Sequence, residues 1–173
     1  MVQSQRPPLI RVPDPALVLL VGPAGSGKST FAAAHFRPVE IVSSDNLRGL
    51  LSNDPADQGA SAEAFRILAL LVNGRLKRQL TTVVDATSLR AANRARYRAI
   101  AARHGVPVIA IAFDLAASTY HARNRGRADR VVDDEVVERQ IVQMAQTVAA
   151  LRGEGYAALH IVRDGQQVEV VRG

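Results

Sequence analysis

An α/β fold, with helices on both faces of a parallel sheet, is predicted from three observations. Short apolar runs alternate with longer segments of helical periodicity along the chain, the pattern of strand-to-strand crossovers through helices. The run at 106–113 is apolar without a break, as expected of a strand buried on both sides. The first such run, 16–21, leads directly into Gly22-Pro23-Ala24-Gly25-Ser26-Gly27-Lys28-Ser29-Thr30. That segment meets G-x-x-x-x-G-K-[ST] at every position, with a strand before it and a helix after it.

The elements follow in order. Residues 16–21 form a strand and 30–35 open a helix. A short second strand covers 39–43. A long helix over 60–79 carries Phe65, Leu68, Leu71, Val72 and Leu76 on roughly one face. The strand 82–85 ends in the carboxylate of Asp85. A helix at 90–104 closes on Gly105, a residue suited to the left-handed turn after a helix. Then come the strand 106–113, helices at 118–125 and 133–152, a last core strand at 156–162 and a strand-like tail at 168–171. Residues 1–14 are polar and proline-rich and read as a disordered leader. Residues 15–173 read as one domain, with a lid over about 116–132. No internal repeat or low-complexity linker interrupts them.

Composition narrows the classes. At 173 residues with 47% hydrophobic content, one domain can bury a full sheet. Cysteine is absent, which excludes disulfides and thiolate metal sites and fits a reducing, cytoplasmic setting. No apolar run reaches transmembrane length, and no membrane partner is expected. The net charge is +6, and of 22 basic residues only Lys28 and Lys77 are lysines. Arginine suits bidentate contact with phosphate, although an Ala- and Arg-rich composition also follows from a GC-rich genome. Aromatics make up 4% and tryptophan is absent, so a base-stacking platform is not expected.

The glycine-rich loop carries the chemistry. Backbone N–H groups of Gly25, Ser26, Gly27, Lys28, Ser29 and Thr30 can wrap an anion at a helix N-terminus. Lys28 can reach the β- and γ-phosphates, and the Ser29 hydroxyl can ligate Mg²⁺. ATP or another nucleoside triphosphate, with Mg²⁺, is the expected ligand. Ligands of parallel sheets bind at the carboxyl ends of the strands, where Asp45, Asp85 and Asp114 all fall. Asp45, in Ser43-Ser44-Asp45-Asn46-Leu47-Arg48, can take a proton from an acceptor hydroxyl, and Arg48 can hold an acceptor phosphate. The same residues read equally as a helix-capping Asp and a surface Arg. Asp85 stands where a Walker-B carboxylate holds Mg²⁺, with a helix cap, by Asp85 or Ser88, as the alternative. Arg123, Arg127 and Arg130 share one helical face. They read as a lid over phosphates or as a solvated basic face. The histidines show no metal-ligand spacing.

Together these pieces resemble one family. The loop leading into Phe31-Ala32, then His35-Phe36, Ser43-Ser44-Asp45-x-x-Arg48-Gly49-Leu50, Asp57-Gln58, Ala64-Phe65, Thr82-Val83-Val84-Asp85-Ala86-Thr87 and Arg123-Asn124-x-x-Arg127-x-Asp129-Arg130 are similar, in that order, to the kinase module of bacterial polynucleotide kinase–phosphatase, an RNA end-healing enzyme of the P-loop phosphotransferase superfamily. The resemblance runs from about residue 15 to the C-terminus. It implies a P-loop kinase fold and transfer of the ATP γ-phosphate to 5′-hydroxyl ends of RNA or DNA. It implies Asp45 as general base and Arg48 on the acceptor's 3′-phosphate. Lys28 and Ser29 would bind phosphates and metal. Arg123 and Arg127 would engage ATP from the lid, with Arg130 in the same motif. Ser88 departs from the pattern, in which Asn often follows Asp-Ala-Thr. The phosphatase and ligase modules that such enzymes usually carry are not in this sequence, as for an excised domain or a stand-alone kinase. The competing readings are a small-molecule or nucleotide-sugar kinase on the same core, and a nucleotide-gated switch.

Overall fold

The computed structural model describes residues 8–126 and 131–173. In chain order it contains β1 (Leu9–Val12), β2 (Leu17–Val21), α1 (Lys28–His35), β3 (Ile41–Ser43), α2 (Ser44–Ser52), α3 (Ser61–Leu76), β4 (Thr82–Asp85), α4 (Ala91–Arg103), β5 (Val108–Phe113), α5 (Ala117–Arg125), α6 (Asp134–Leu151), β6 (Ala158–Val162) and β7 (Glu169–Arg172). Five strands form a wholly parallel sheet in the order β3-β4-β2-β5-β6.

The central strands are built of valine, leucine and isoleucine, and every residue of β2, β4 and β5 is buried. Strand side chains alternate between faces, and the two cores show it. Leu17 and Leu19 pack with Leu68, Val72 and Leu76 of α3 and with Tyr97 and Ile100 of α4. Val21 continues that face against Met144 and Leu151 of α6. Val18 and Leu20 pack the other way, against Ala32 of α1, Phe36, Ile10 and Val12. Each fully buried leucine here contributes about 1.5–3 kcal/mol. Because all five strands run the same way, Val21, Ser43, Asp85 and Phe113 end at one edge. The connecting loops meet there.

Two expectations are corrected. The leader expected over 1–14 is not disordered at Leu9–Val12, which pairs in parallel with β7. Its pattern alternates, so that Ile10 and Val12 are buried while Leu9 and Arg11 face solvent. The strand expected over 39–43 is shorter. Pro38–Glu40 is a 3-10 turn, closed by Glu40, whose carboxylate accepts the Arg37 N–H at 2.9 Å. Arg172 adds two bonds to that carboxylate, at 2.8 and 3.0 Å. It thereby ties the β1–β7 ribbon to the turn before β3. Among the described residues no helix is long and apolar enough to cross a membrane.

Candidate active site

The phosphate loop is bent by glycine where no other residue fits. Gly25 and Gly27 have φ of +78° and +89°, and a Cβ on Gly25 would lie 2.3 Å from the Tyr120 carbonyl oxygen of α5. Tyr120 is itself fixed, since its hydroxyl donates to Phe113 O at 2.6 Å and accepts the Leu115 N–H at 2.8 Å. Burial pushes that phenol up to about 12, so it remains a neutral donor. The loop is held from three further sides. Ala24 N–H donates to Gln140 Oε1 at 2.7 Å, Gly22 N–H to Thr87 O at 3.0 Å, and Arg123 Nη1 to Ser26 O at 3.3 Å. Lys28 begins α1 and is buried. Its Nζ donates to Gly22 O and Pro23 O at 2.8 Å and to Ser26 Oγ at 3.0 Å. No acidic residue stands in the first turn of α1, so the partial positive charge of that terminus is left for an anion.

On the neighbouring strand end, Ser43 caps α2, its Oγ accepting the Asn46 N–H at 3.4 Å. The capping role open to Asp45 is therefore filled by Ser43, and Asp45 lies within the first turn. Arg48 Nη2 donates to Asp45 Oδ1, and Arg48 Nε donates to Pro55 O at 2.9 Å. The guanidinium is only 5% exposed as a residue, so it holds the carboxylate from the protein side.

Asp85 ends β4 in register with Ser43 and is buried. Neither Asp85 nor Ser88 caps α4, whose N-cap is Arg90 without a side-chain bond. Ser88 has a positive φ of 51°, a conformation that asparagine adopts more readily than serine. The turn is held in place by Arg94 of α4, which donates to Ser88 O and Leu89 O at 2.9 and 2.8 Å and to Glu154 Oε2 at 2.9 Å.

These groups meet in one cavity of 1060 Å³ whose walls include Lys28, Ser29, Asp45, Arg48 and Asp85. Gly25, Ser26 and Gly27 lie in the loop beside it, while Thr30 is exposed on α1. Asp114 is not among the cavity walls; it approaches Arg163 at 3.9 Å. Arg123 sits against the loop on α5. Arg127 and Arg130 lie outside the described residues. The Ser29 hydroxyl and the Asp85 carboxylate are hard oxygen donors on the same cavity, and no group of three His, Cys, Asp or Glu able to hold a metal occurs among the described residues. That donor set fits Mg²⁺, which takes one or two protein oxygens and fills its shell with water and phosphate oxygens.

Sequence reasoning passed over Gln140 and Gln143, which line the cavity from α6, and Arg90 and Asn93, which line it from the start of α4. The signal for the glutamines was their three-residue spacing, with Gln140 one turn from the buried Val137 and Met144 and Gln143 one turn from the buried Thr147.

A family model, that of an AAA domain (AAA_33), matches residues 17–151, from β2 through α6. The chain belongs to this AAA domain family. Solved structures share the fold of the domain at low identity. A chain of the Pnkp1/Rnl/Hen1 RNA repair complex is 19% identical with a TM-score of 0.65, over 86% of this chain and 48% of that one. The AvrRxo1-ORF1:-ORF2 complex with ATP gives 15% and 0.65, over 87% and 55%. A gluconokinase from Sinorhizobium meliloti 1021 gives 18% and 0.54, over 90% and 86%. The AAA domain thus spans about half the length of the first two and most of the third. A search of curated proteins by sequence found no match. The fold is the P-loop kinase type, an α/β domain with a five-stranded parallel sheet between helices.

Proposed function

We propose that this AAA domain is an ATP-dependent kinase that phosphorylates 5′-hydroxyl ends of RNA or DNA. The observation that carries the reading is the Asp45–Arg48 pair on the wall of the cavity that also holds Lys28 and Ser29. A nucleotide switch has no need of a second carboxylate so placed. The ordered match of the lid and strand-end motifs to polynucleotide kinase modules supports the acceptor class, as does the shared fold with a chain of an RNA repair complex.

In this reading the amides of the loop, Lys28 and the α1 terminus hold the triphosphate. Ser29 and Asp85 would hold Mg²⁺, which offsets phosphate charge when bound. Asp45 accepts the proton of the acceptor hydroxyl as its oxygen bonds to Pγ. The bond from Pγ to the β,γ-bridging oxygen breaks, and ADP leaves with the electron pair. Arg48 holds Asp45 in place and faces the acceptor's 3′-phosphate. Arg123, with Arg127 and Arg130, neutralises charge on the transferring group. The setting is cytoplasmic, and a longer parent carrying phosphatase and ligase modules suits the domain.

A second reading, a small-molecule kinase, is favoured by two observations. Arg48 is buried, with its Nε and Nη2 already bonded to Pro55 O and Asp45, and the gluconokinase is matched over most of its length. Transfer of label from γ-labelled ATP decides between them. A 5′-hydroxyl oligonucleotide and a nucleoside 3′-monophosphate should accept it, a plain nucleoside poorly. Arg48→Ala should raise KM for the phosphate-bearing acceptors. Efficient labelling of free nucleosides or sugars, with none of the oligonucleotide, would select the second reading.

A further inference from the structure

Gln140 supplies a donor that the reading above leaves unused. Its Oε1 accepts the Ala24 N–H at 2.7 Å, a contact between α6 and the phosphate loop across 116 positions. Only the oxygen of a carboxamide can accept, so this bond orients the whole group. The NH₂ end is turned away from Ala24 and makes no hydrogen bond to another described residue. Gln140 lies on the wall of the cavity shared by Lys28, Ser29, Asp45 and Asp85. The loop amides able to surround the inner phosphates come from residues 25–30, beyond Ala24 in the chain. A donor anchored at Ala24, on the cavity that Asp45 also lines, is thus placed for the outer phosphate and the incoming oxygen. α6 cannot easily shift to withdraw it, because Thr147 and Gln143, on the same helix, both donate to Leu89 O, at 3.3 and 3.4 Å.

We propose that the Nε2 of Gln140 donates a hydrogen bond to a γ-phosphoryl oxygen of bound ATP, making Gln140 a catalytic residue. The inference rests on the phosphoryl-transfer reading of this site. In-line transfer spreads charge over the three outer oxygens of the γ-phosphoryl group. A neutral donor already fixed by its own oxygen stabilises that charge without reorganising. The plainer role, satisfying Ala24 alone, requires only the oxygen.

Two substitutions separate the roles. Gln140→Glu keeps an acceptor for Ala24 and removes the donor. Gln140→Leu removes both. In the full chain, transfer kinetics and calorimetric affinities for ATP and ADP are measured on each. Both variants should lose about 100-fold in kcat, the size of a single lost donor at a developing charge. The Glu variant should weaken ATP at least about tenfold while changing ADP by less than about threefold, since ADP lacks the γ-phosphate. Wild-type kcat and ATP affinity in the Glu variant would overturn the proposal and leave Gln140 as a support for Ala24. Equal losses for ATP and ADP would overturn it too, by placing the effect in the loop. If the wild type labels no nucleic-acid acceptor, the function assigned above fails, and the ATP-over-ADP preference of the Glu variant still decides the role of Gln140.

Discussion

Asn124 and Val132 exchange two hydrogen bonds. The Asn124 Nδ2 donates to Val132 O at 2.7 Å, and the Val132 N–H donates to Asn124 Oδ1 at 3.0 Å. Asn124 is fully buried, so one side chain does the work of a two-residue strand ladder and joins the end of α5 to the approach of α6. Its chain neighbour Arg123 reaches the phosphate loop at Ser26 O.

Replacing Asn124 with Ala therefore strips two bonds from a closed polar pair. Stability should fall by about 2 kcal/mol, the cost of leaving buried partners unmet. Asn124→Asp keeps the acceptor for Val132 N–H but sets a buried carboxylate against Val132 O, and should lose at least as much at pH 7. Denaturant unfolding gives the order, and amide exchange at Val132 should quicken in the Ala variant. Unchanged exchange there would show that the pair does not hold the junction.

Lys28→Ala should abolish detectable transfer, at least about 100-fold in kcat, by removing the cation that meets the outer phosphates. It also frees Gly22 O, Pro23 O and Ser26 Oγ from their common donor, so ATP affinity should fall along with turnover. Near-wild-type turnover in this variant would place the nucleotide elsewhere.

For Asp45 the expectation is a split. Asp45→Asn can still accept from Arg48 but cannot take a proton. Turnover should drop about 10²- to 10⁴-fold with ATP affinity within a few-fold of wild type. A matching loss of ATP affinity in titration would make Asp45 a ligand of the nucleotide or its metal instead.

The Glu40–Arg172 pair predicts a pH dependence. Burial pushes the Glu40 carboxyl up, but hydrogen bonds from Arg172 and Arg37 outweigh it and hold the group below its ordinary 4.5. A carboxylate depressed in the folded state stabilises above the unfolded value and loses that contribution as pH falls through the folded one. Arg172→Ala should cost about 2 kcal/mol at pH 7, less than a full buried-pair break because Arg37 remains on Glu40 at 3.0 Å. The gap between variant and wild type should narrow below about pH 4 in urea melts at stepped pH. A gap independent of pH would remove Glu40 as its source.

What could be read from the sequence was local or periodic. The loop Gly22 to Ser29 lies within eight consecutive residues, and the buried strands are unbroken apolar runs, so both were legible. Asp45 and Asp85 were legible because parallel strands bring their ends to one edge. The β1–β7 pairing was not, since Leu9 and Glu169 meet only through the fold and proline flanks the first strand. Nor were Gln140 on Ala24, or Arg94 on Ser88 and Glu154. Those are polar contacts made by one side chain each, set by how the chain folds, and they leave no periodicity to detect. Arg48 shows a third case: its spacing from Asp45 was visible, but the Pro55 carbonyl that accepts its Nε–H was not.

The parallel sense of the β1–β7 ribbon decides how the domain bears tension. A pull applied before Leu9 and after Arg172 drags the two strands past each other lengthwise. Their hydrogen bonds, from Glu169 N–H on Pro8 O to Gly173 N–H on Val12 O, are then loaded together as a shear joint rather than unzipped singly. The Arg172–Glu40 bonds add a rivet at the same end. Force entering through the two ends is taken up at this joint before it reaches β2 and the glycine loop behind it. Attachments at the two ends can therefore be tugged without deforming the phosphate cradle.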